Sequence, residues 1–183
     1  MNTLQIVLVV VSILVLWLIL AYNRLIVLRN RSREAWSDID VQLKRRYDLI
    51  PNLVETVRGY AGHEKSVFEE VTLARARAMG AGTVKERENA ENFLAGTLKN
   101  LFALSENYPQ LRASENFQKL QDELTDTEDK IQAARRFYNT NIMALNTKIE
   151  SFPVNFIAGT FGFKKMEFFG TETESKEPVK VKF

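Results

Sequence analysis

Residue types that build reactive centres are scarce in this chain. Its 183 residues include no cysteine and a single histidine, His63. The absence of cysteine excludes disulfides, thiol nucleophiles and thiolate metal sites. His63-Glu64 has no second histidine to complete a zinc-binding helix motif, so we interpret His63 as a polar residue at a helix junction. We therefore predict no metal site and no cofactor.

Other signatures of catalysis are also missing. A serine nucleophile would need His63 as its base, and no Gly-x-Ser-x-Gly sequence occurs. There is no P-loop and no Gly-x-Gly-x-x-Gly motif. The acidic pairs Asp38/Asp40 and Asp122/Glu123 lie on predicted helices, where side chains one or two positions apart point in different directions. We therefore predict that the protein is not an enzyme, and a hydrolase ranks third among the functions considered.

Helix-interrupting residues are few as well, with eight glycines and four prolines. That composition indicates a helical protein. The charges nearly balance, with 25 Lys and Arg against 23 Asp and Glu, for a net charge of +2. Nucleic-acid binding requires a concentrated basic surface. We therefore expect no nucleic-acid partner.

A long apolar run without any charge extends from Leu4 to Tyr22. At about 1.5 Å per residue, a helix over this run nearly crosses a hydrocarbon core of about 30 Å. A cleaved signal peptide would carry a basic N-terminal region and a small-residue cleavage site, and this sequence has neither. A buried core helix would rarely be so free of polar residues. We predict a transmembrane helix over residues 4–22, so that the bilayer is one partner.

Arginines follow this run at once: Arg24, Arg29, Arg31 and Arg33, with only Glu34 against them. The positive-inside rule then places a short end, residues 1–3, outside and the bulk of the chain in the cytoplasm. No helix-stop signal separates Tyr22 from Ala35. We therefore expect the spanning helix to continue directly into the next one.

The stretch from Ala35 to Glu64 has the pattern of one amphipathic helix. Its apolar residues recur at alternating steps of three and four, which is the spacing of one helix face. They are Trp36, Ile39, Leu43, Tyr47, Ile50, Val54, Val57 and Ala61. Pro51 predicts a break or a kink. Because the apolar phase continues through Pro51, we favour one kinked helix, which ends at Gly59 and Gly62.

Three further helices are predicted. In a capping box, the residue that caps a helix and the residue three positions later each accept a hydrogen bond from the other's backbone N–H through their side chains. Such boxes are indicated at Ser66–Glu69 and at Thr83–Glu86. The third helix stops before Pro109, a connector follows, and the longest helix begins after Ser114 and ends at Pro153. The apolar stripe of this last helix approaches a coiled-coil seam. It contains Phe117, Leu120, Leu124, Thr127, Ile131, Ala134, Tyr138, Ile142, Leu145, Ile149 and Phe152.

Short connections between amphipathic helices predict an all-α protein, in which the N-terminal transmembrane helix continues into an antiparallel four-helix bundle with two long and two short helices. This bundle covers residues 23–152. The short helices can cover only part of the long pair, so the membrane-near portion is expected to be a two-helix stalk. Its register predicts that Asp38 and Asp40 lie near Arg135 and Arg136. Trp36 is expected to pack near the end of the last helix, around Leu145 to Phe152.

Two remaining features are candidate contact surfaces. The basic run Lys44-Arg45-Arg46 is either a solvated helix face or a docking patch for acidic partners. The aromatic segment 153–170 is too rich in phenylalanine for a linker. We expect it to pack on the stalk, of the same subunit or of a neighbour, in preference to entering lipid. Residues 171–183 are charged and poor in apolar residues, which predicts a disordered tail.

Long segments of this chain closely resemble the LemA family. They are YNRLIVLRN, AWSDIDVQLKRRYDLIPNLVETVRGYAGHE, ENYPQLRASENFQKLQDELTDTEDKIQAARRFYNTNIMALN and FPVNFIAGTFGFKKMEFF. The resemblance implies a single-pass protein of the bacterial inner membrane, a helical-bundle domain in a mirror variant of the up-and-down topology, and no established catalytic activity. A magnetosome-associated branch of the family is linked to membrane formation, which adds membrane organisation to the expected roles.

Together these patterns predict a membrane-anchored helical scaffold or adaptor that acts through protein contacts, including self-association, with an unidentified protein partner. The alternative is a sensory or regulatory module that couples the anchor to a cytoplasmic partner. The candidate interaction residues are Trp36, Asp38, Asp40, Lys44, Arg45, Arg46, Arg135, Arg136, Tyr138, Phe161, Phe163, Phe168 and Phe169.

Overall fold

The structure is a computed structural model that describes residues 2–170; the predicted disordered tail, 171–183, lies outside this part. The described chain is all-helical and contains no strand, which confirms the predicted fold class at this level. Its helices are α1 (Thr3–Arg58), α2 (Lys65–Gly80), α3 (Val84–Ser105), α4 (Pro109–Arg112), α5 (Glu115–Glu150) and α6 (Val154–Thr160). They divide into two compact units, residues 2–37 with Arg136–Phe168 (the first unit) and Asp38–Arg135 with Phe169 and Gly170 (the second unit).

Helix α1 is uninterrupted over 56 residues, a length of about 84 Å at the usual rise. The expected continuity between Tyr22 and Ala35 is confirmed. Its N-terminal part is long and apolar enough to cross a membrane, and almost none of that part is buried inside the protein. Apolar side chains that no protein surface covers are what a lipid-facing segment requires.

Helix α1 also passes through Pro51 without ending. Proline has no N–H, so the carbonyl oxygen of Tyr47, four residues earlier, loses its helical hydrogen bond. In the structure Arg75 of α2 supplies the missing donor, because its Nε lies 2.7 Å from the Tyr47 carbonyl oxygen. A side chain of α2 thus satisfies the backbone group that Pro51 leaves unpaired.

The second unit is built from α2, α3, α4 and the adjoining parts of α1 and α5. Thr83 and Glu86 form the predicted capping box at the start of α3, with Glu86 N–H 3.2 Å from Thr83 Oγ1 and Thr83 N–H 3.0 Å from Glu86 Oε2. Hydrogen bonds from Thr83 lower the pKa of the Glu86 carboxyl. The box predicted at Ser66 is wrong, because α2 begins at Lys65 and Glu64 occupies its cap position without a side-chain hydrogen bond.

Residues beyond Pro153, in the first unit, form α6, a helix that the sequence did not predict. Its apolar residues Val154, Ile157 and Ala158 are buried in a cluster with side chains of α1 and α5. The members contributed by those two helices are Ala21, Leu25, Leu28 and Leu145. The apolar stripe predicted for α5 is buried or half-buried along the helix, but Phe152, beyond its end, is exposed.

Candidate functional site

Several polar side chains of the second unit form a largely buried network around Arg46 of α1. The Arg46 Nη1 atom lies 3.3 Å from Glu91 Oε2 of α3 and 3.0 Å from Glu128 Oε2 of α5. Arg46 and Glu91 are 4% and 1% exposed, so this ion pair is withdrawn from water. The hydroxyl of Tyr47 donates a hydrogen bond to Glu91 Oε1. Three helices are therefore joined through one buried arginine and two carboxylates, of which that of Glu91 is buried.

The chemistry of this network is that of a structural contact. Burial, together with the Glu91 carboxylate beside it, raises the pKa of the Tyr47 hydroxyl. A tyrosine that acts as a nucleophile or general base needs the opposite shift. Each charged group here already has an opposite partner, which is the condition under which buried charges are tolerated. The network holds α1, α3 and α5 together.

The three residues of the basic run have separate roles. Lys44 is exposed and lies 2.9 Å from Asp48 one turn later. Arg45 lies 3.4 Å from Asp126 of α5. Both interpretations of the run placed all three residues at the surface, and for Arg46 this is wrong. Of the three residues, only Arg46 is buried, and it lies beside a groove between α3 and α5.

Asp40 and Arg135 make contacts other than the predicted ones. Asp40 forms an ion pair with Arg87 of α3, where the register predicted Arg135 and Arg136. Asp38 and Arg136 are exposed. Arg135 instead stacks on a ring, with its Cζ atom 4.6 Å from the centroid of Phe169. Burial lowers the pKa of the Arg135 guanidinium. Phe169 itself is fully buried, so this part of the aromatic segment belongs to the core.

Trp36 and Tyr138 meet edge to face in the first unit, with ring centroids 5.3 Å apart. Trp36 was predicted near Leu145 to Phe152, so the register was wrong by about two helical turns. The Tyr138 hydroxyl donates to the carbonyl oxygen of Glu167 at 2.9 Å. Burial, with a smaller contribution from the Glu167 carboxylate, raises the pKa of Tyr138 to about 12.

The segment that follows α6 is fastened to α5 by polar contacts. Asn146 of α5 donates from Nδ2 to the carbonyl oxygen of Met166 at 2.9 Å and accepts from the Met166 N–H at 3.0 Å. Lys165 forms an ion pair with Glu150. Phe163 packs between Tyr22, with ring centroids 5.7 Å apart, and Arg29, whose Cζ lies 5.3 Å from its centroid. The prediction that this segment packs on its own stalk is confirmed for Phe163.

The other rings of the aromatic segment are more exposed. Phe161 contacts Tyr22 at 4.9 Å between centroids but leaves half of its surface open. Phe168 is also exposed. Phe152 and Phe156 contact each other, with centroids 6.1 Å apart, and point away from the core. The segment therefore has one face on the stalk and one face outward.

A shallow groove of about 340 Å³ lies between α3 and α5 beside Arg46. Phe102, Leu98 and Leu124 supply apolar walls, and Glu128 and Asp129 supply acidic edges. Over residues 2–170, no group of three or more acidic or histidine side chains is arranged to hold a metal ion. The lining of the groove contains no histidine or thiol.

Comparison with known proteins places these features in a family. The family model for the LemA family matches residues 35–183. The chain belongs to the LemA family. Its match covers α2 to α6 and the part of α1 that enters the second unit, so the helices described above are those of a LemA-family protein.

Relatives of this LemA-family chain include two kinds of bacterial protein. "Magnetosome protein MamQ" of Magnetospirillum gryphiswaldense is 23% identical over 188 aligned positions, which cover 88% of this chain and 69% of that protein. "Magnetosome protein MamQ 1" of Paramagnetospirillum magneticum is 24% identical with the same coverage. "Protein LemA" of Metamycoplasma hominis is 28% identical over 140 positions, 74% of this chain and 63% of that protein. These likenesses and helix α1 indicate a membrane-associated helical protein.

Proposed function

We propose that this chain is a single-pass membrane-anchored scaffold that acts through protein contacts, including contacts with copies of itself. The observation that carries the proposal is helix α1. One unbroken helix supplies both an exposed apolar segment and core residues of both units, among them Leu25, Ile39 and Val57. A rigid connection of this kind fixes a folded domain at a bilayer, which is what a scaffold requires.

The proposed architecture of the domain is an antiparallel four-helix bundle of α1, α2, α3 and α5. Contacts within each unit support it. In the first unit, Leu28 shares a cluster with Leu145, and Trp36, further along α1, contacts Tyr138, which is earlier on α5. Contacts in which the residue number increases along one helix and decreases along the other indicate an antiparallel pair. In the second unit, Arg46 joins α1 to α3 and α5, and Arg75 joins α2 to α1.

The proposed orientation places the N-terminus outside the bacterial inner membrane and the two units in the cytoplasm. The arginines after Tyr22 support this orientation, because loops rich in basic residues stay on the cytoplasmic side. Magnetosome proteins are among the relatives. They support our proposal that the scaffold works in membrane organisation.

Self-association is supported by exposed apolar side chains outside the apolar run. Large side chains that are at least two-fifths exposed occur on α1, α2, α3 and α5: Val27, Val41, Leu73, Met79, Phe93, Phe137 and Met143. The small net charge of +2 also sets up little long-range repulsion between copies. Contacts between copies would cover apolar surface that a lone copy leaves in water.

Native mass spectrometry of the full chain, extracted in a mild detergent, tests this proposal. A scaffold gives a defined assembly of identical copies, and Leu73→Glu or Phe93→Glu lowers the number of copies if that side chain lies in the contact. Lys99→Glu is a matched control on α3. A chain that stays monomeric at every concentration, in detergent and in nanodiscs, contradicts self-association.

A regulatory module is the second candidate, and one observation favours it. Helix α1 supplies both the apolar segment and the buried residues Arg46 and Tyr47 of the Glu91 network, so one element belongs to the anchor and to the network. The same mass-resolved sample separates the two candidates. Copies of this chain alone favour the scaffold, whereas a stoichiometric second protein, such as a kinase or a protease, favours the regulator.

A further inference from the structure

Three phenylalanines of the first unit are largely exposed, one just before the aromatic segment and two within it. Phe152, Phe156 and Phe161 are 80%, 67% and 54% exposed. Their neighbours Val154, Ile157 and Ala158 are buried. One face of α6 therefore packs on α1 and α5, while the ring of Phe156 on α6 and the rings of Phe152 and Phe161, which flank the helix, stay uncovered. Large rings are stabilised by removal from water, so an uncovered group of them indicates a binding surface.

The place where α6 packs on α1 indicates whether water or lipid surrounds these rings. α6 packs on Ala21 and Leu25, and Phe161 contacts the ring of Tyr22. Tyr22 is the last residue of the apolar run, and Leu25 follows less than one helical turn later. If the run crosses the bilayer, α6 lies at the depth where the hydrocarbon core meets the headgroups, a zone of about 5–8 Å on each side.

The charges around α6 suit the same location. Lys164 and Lys165 are exposed on the segment that follows α6, and Arg24 is exposed on α1 just beyond Tyr22. Basic side chains next to aromatic rings are typical of protein surfaces that rest in the headgroup region of anionic membranes. Lys165 also keeps an ion pair with Glu150, which fastens this segment to α5 and holds the rings in place.

We propose that Phe152, Phe156 and Phe161 form a second membrane contact, which lies flat in the headgroup region of the leaflet beside the transmembrane helix. This inference rests on the proposed span of α1 and adds a lipid-binding surface to it. The folded units are then attached at two points. The span prevents detachment, while the three rings prevent α1 from tilting or rotating freely relative to the bilayer.

Depth-dependent fluorescence quenching tests this proposal on the full chain in vesicles of phosphatidylcholine and phosphatidylglycerol. Because the chain has no cysteine, Phe156→Cys carries a single environment-sensitive label. Ala133→Cys is the control, since Ala133 of α5 is exposed and does not belong to the α6 cluster. We expect lipids brominated near the headgroups to quench the label at position 156, and aqueous iodide to quench it several-fold less than the label at position 133.

Equal quenching of both labels by iodide, without quenching by brominated lipid, overturns the proposal. Protection from iodide without quenching by brominated lipid also overturns it, because a second copy of the chain would then cover the rings. A third label at Leu14→Cys separates this failure from failure of the span. Deep brominated lipids must quench the label at position 14 if α1 crosses the bilayer, whatever happens at position 156.

Discussion

Replacing Arg75 by alanine removes the side chain that donates to the carbonyl oxygen of Tyr47 at 2.7 Å. Pro51 cannot supply the helical N–H, so this oxygen is left partly buried without a donor. Hydrogen bonds from charged groups contribute about 1.5–3 kcal/mol, and an unpaired buried polar group costs a similar amount. We therefore expect Arg75→Ala to lower the free energy of unfolding by about 2 kcal/mol.

The decisive form of this experiment is a double-mutant cycle with Pro51→Ala. Alanine at position 51 restores the N–H that bonds the Tyr47 carbonyl, so Arg75→Ala is expected to cost at least about 1 kcal/mol less in that background. Pro51→Ala alone is expected to stabilise, because a proline inside a helix costs about 3 kcal/mol. The measurement is equilibrium urea unfolding of the full chain in one detergent, followed by far-ultraviolet circular dichroism.

Arg77→Ala is the matched control for this cycle. Arg77 lies on the same helix but is exposed, so its loss is expected to change the free energy of unfolding by less than about 0.5 kcal/mol. Equal costs of Arg75→Ala in the two backgrounds would refute the link between the arginine and the proline. No cost in either background would show that water satisfies the Tyr47 carbonyl instead.

Two further predictions address orientation and pH dependence. An added Cβ at Gly82 meets nothing closer than 3.7 Å, so the position accepts a cysteine. Gly82→Cys should escape an impermeant thiol reagent in intact cells and react after lysis. Labelling of intact cells would contradict the cytoplasmic assignment. Because folding raises the pKa of Tyr138 from 10.0 to about 12, the unfolded chain loses its proton first as pH rises. Stability should therefore be complete below pH 10 and fall between about 10 and 12, and Tyr138→Phe should weaken that fall in alkaline unfolding curves.

The helices of this protein follow closely from local sequence. The three-four spacing of apolar residues predicts the buried faces of α1 and α5, and Thr83 with Glu86 predicts the start of α3. These signals act within a few residues, so no tertiary information is needed to read them. The capping box predicted at Ser66 shows the limit, because α2 begins at Lys65 and its cap position falls on Glu64, two residues before Ser66.

Contacts between distant helices were less predictable. Arg46 occupies a position next to Leu43 and Tyr47 at the edge of the buried face, but its partner Glu91 is 45 residues away, and nothing local joins the two. The stalk register was wrong for Trp36 because connection lengths fix helix pairing only to about two turns. Pro51 did carry a usable signal, since a helix that continues through proline needs an outside donor. Only the structure identifies that donor as Arg75.

The continuity of α1 from bilayer to core is tested by one distance. Ile19 and Ser37 are both exposed and lie 18 residues apart on the part of α1 that belongs to the first unit, about five turns or 27 Å along an unbroken helix. Cysteines at these two positions of the cysteine-free chain can carry nitroxide labels for pulsed electron paramagnetic resonance in lipid nanodiscs. A narrow distance distribution near 27 Å, allowing for the label arms, is expected. A broad distribution, or one centred at a clearly shorter distance, would show that the anchor and the helical domain are joined by a hinge and would contradict the account.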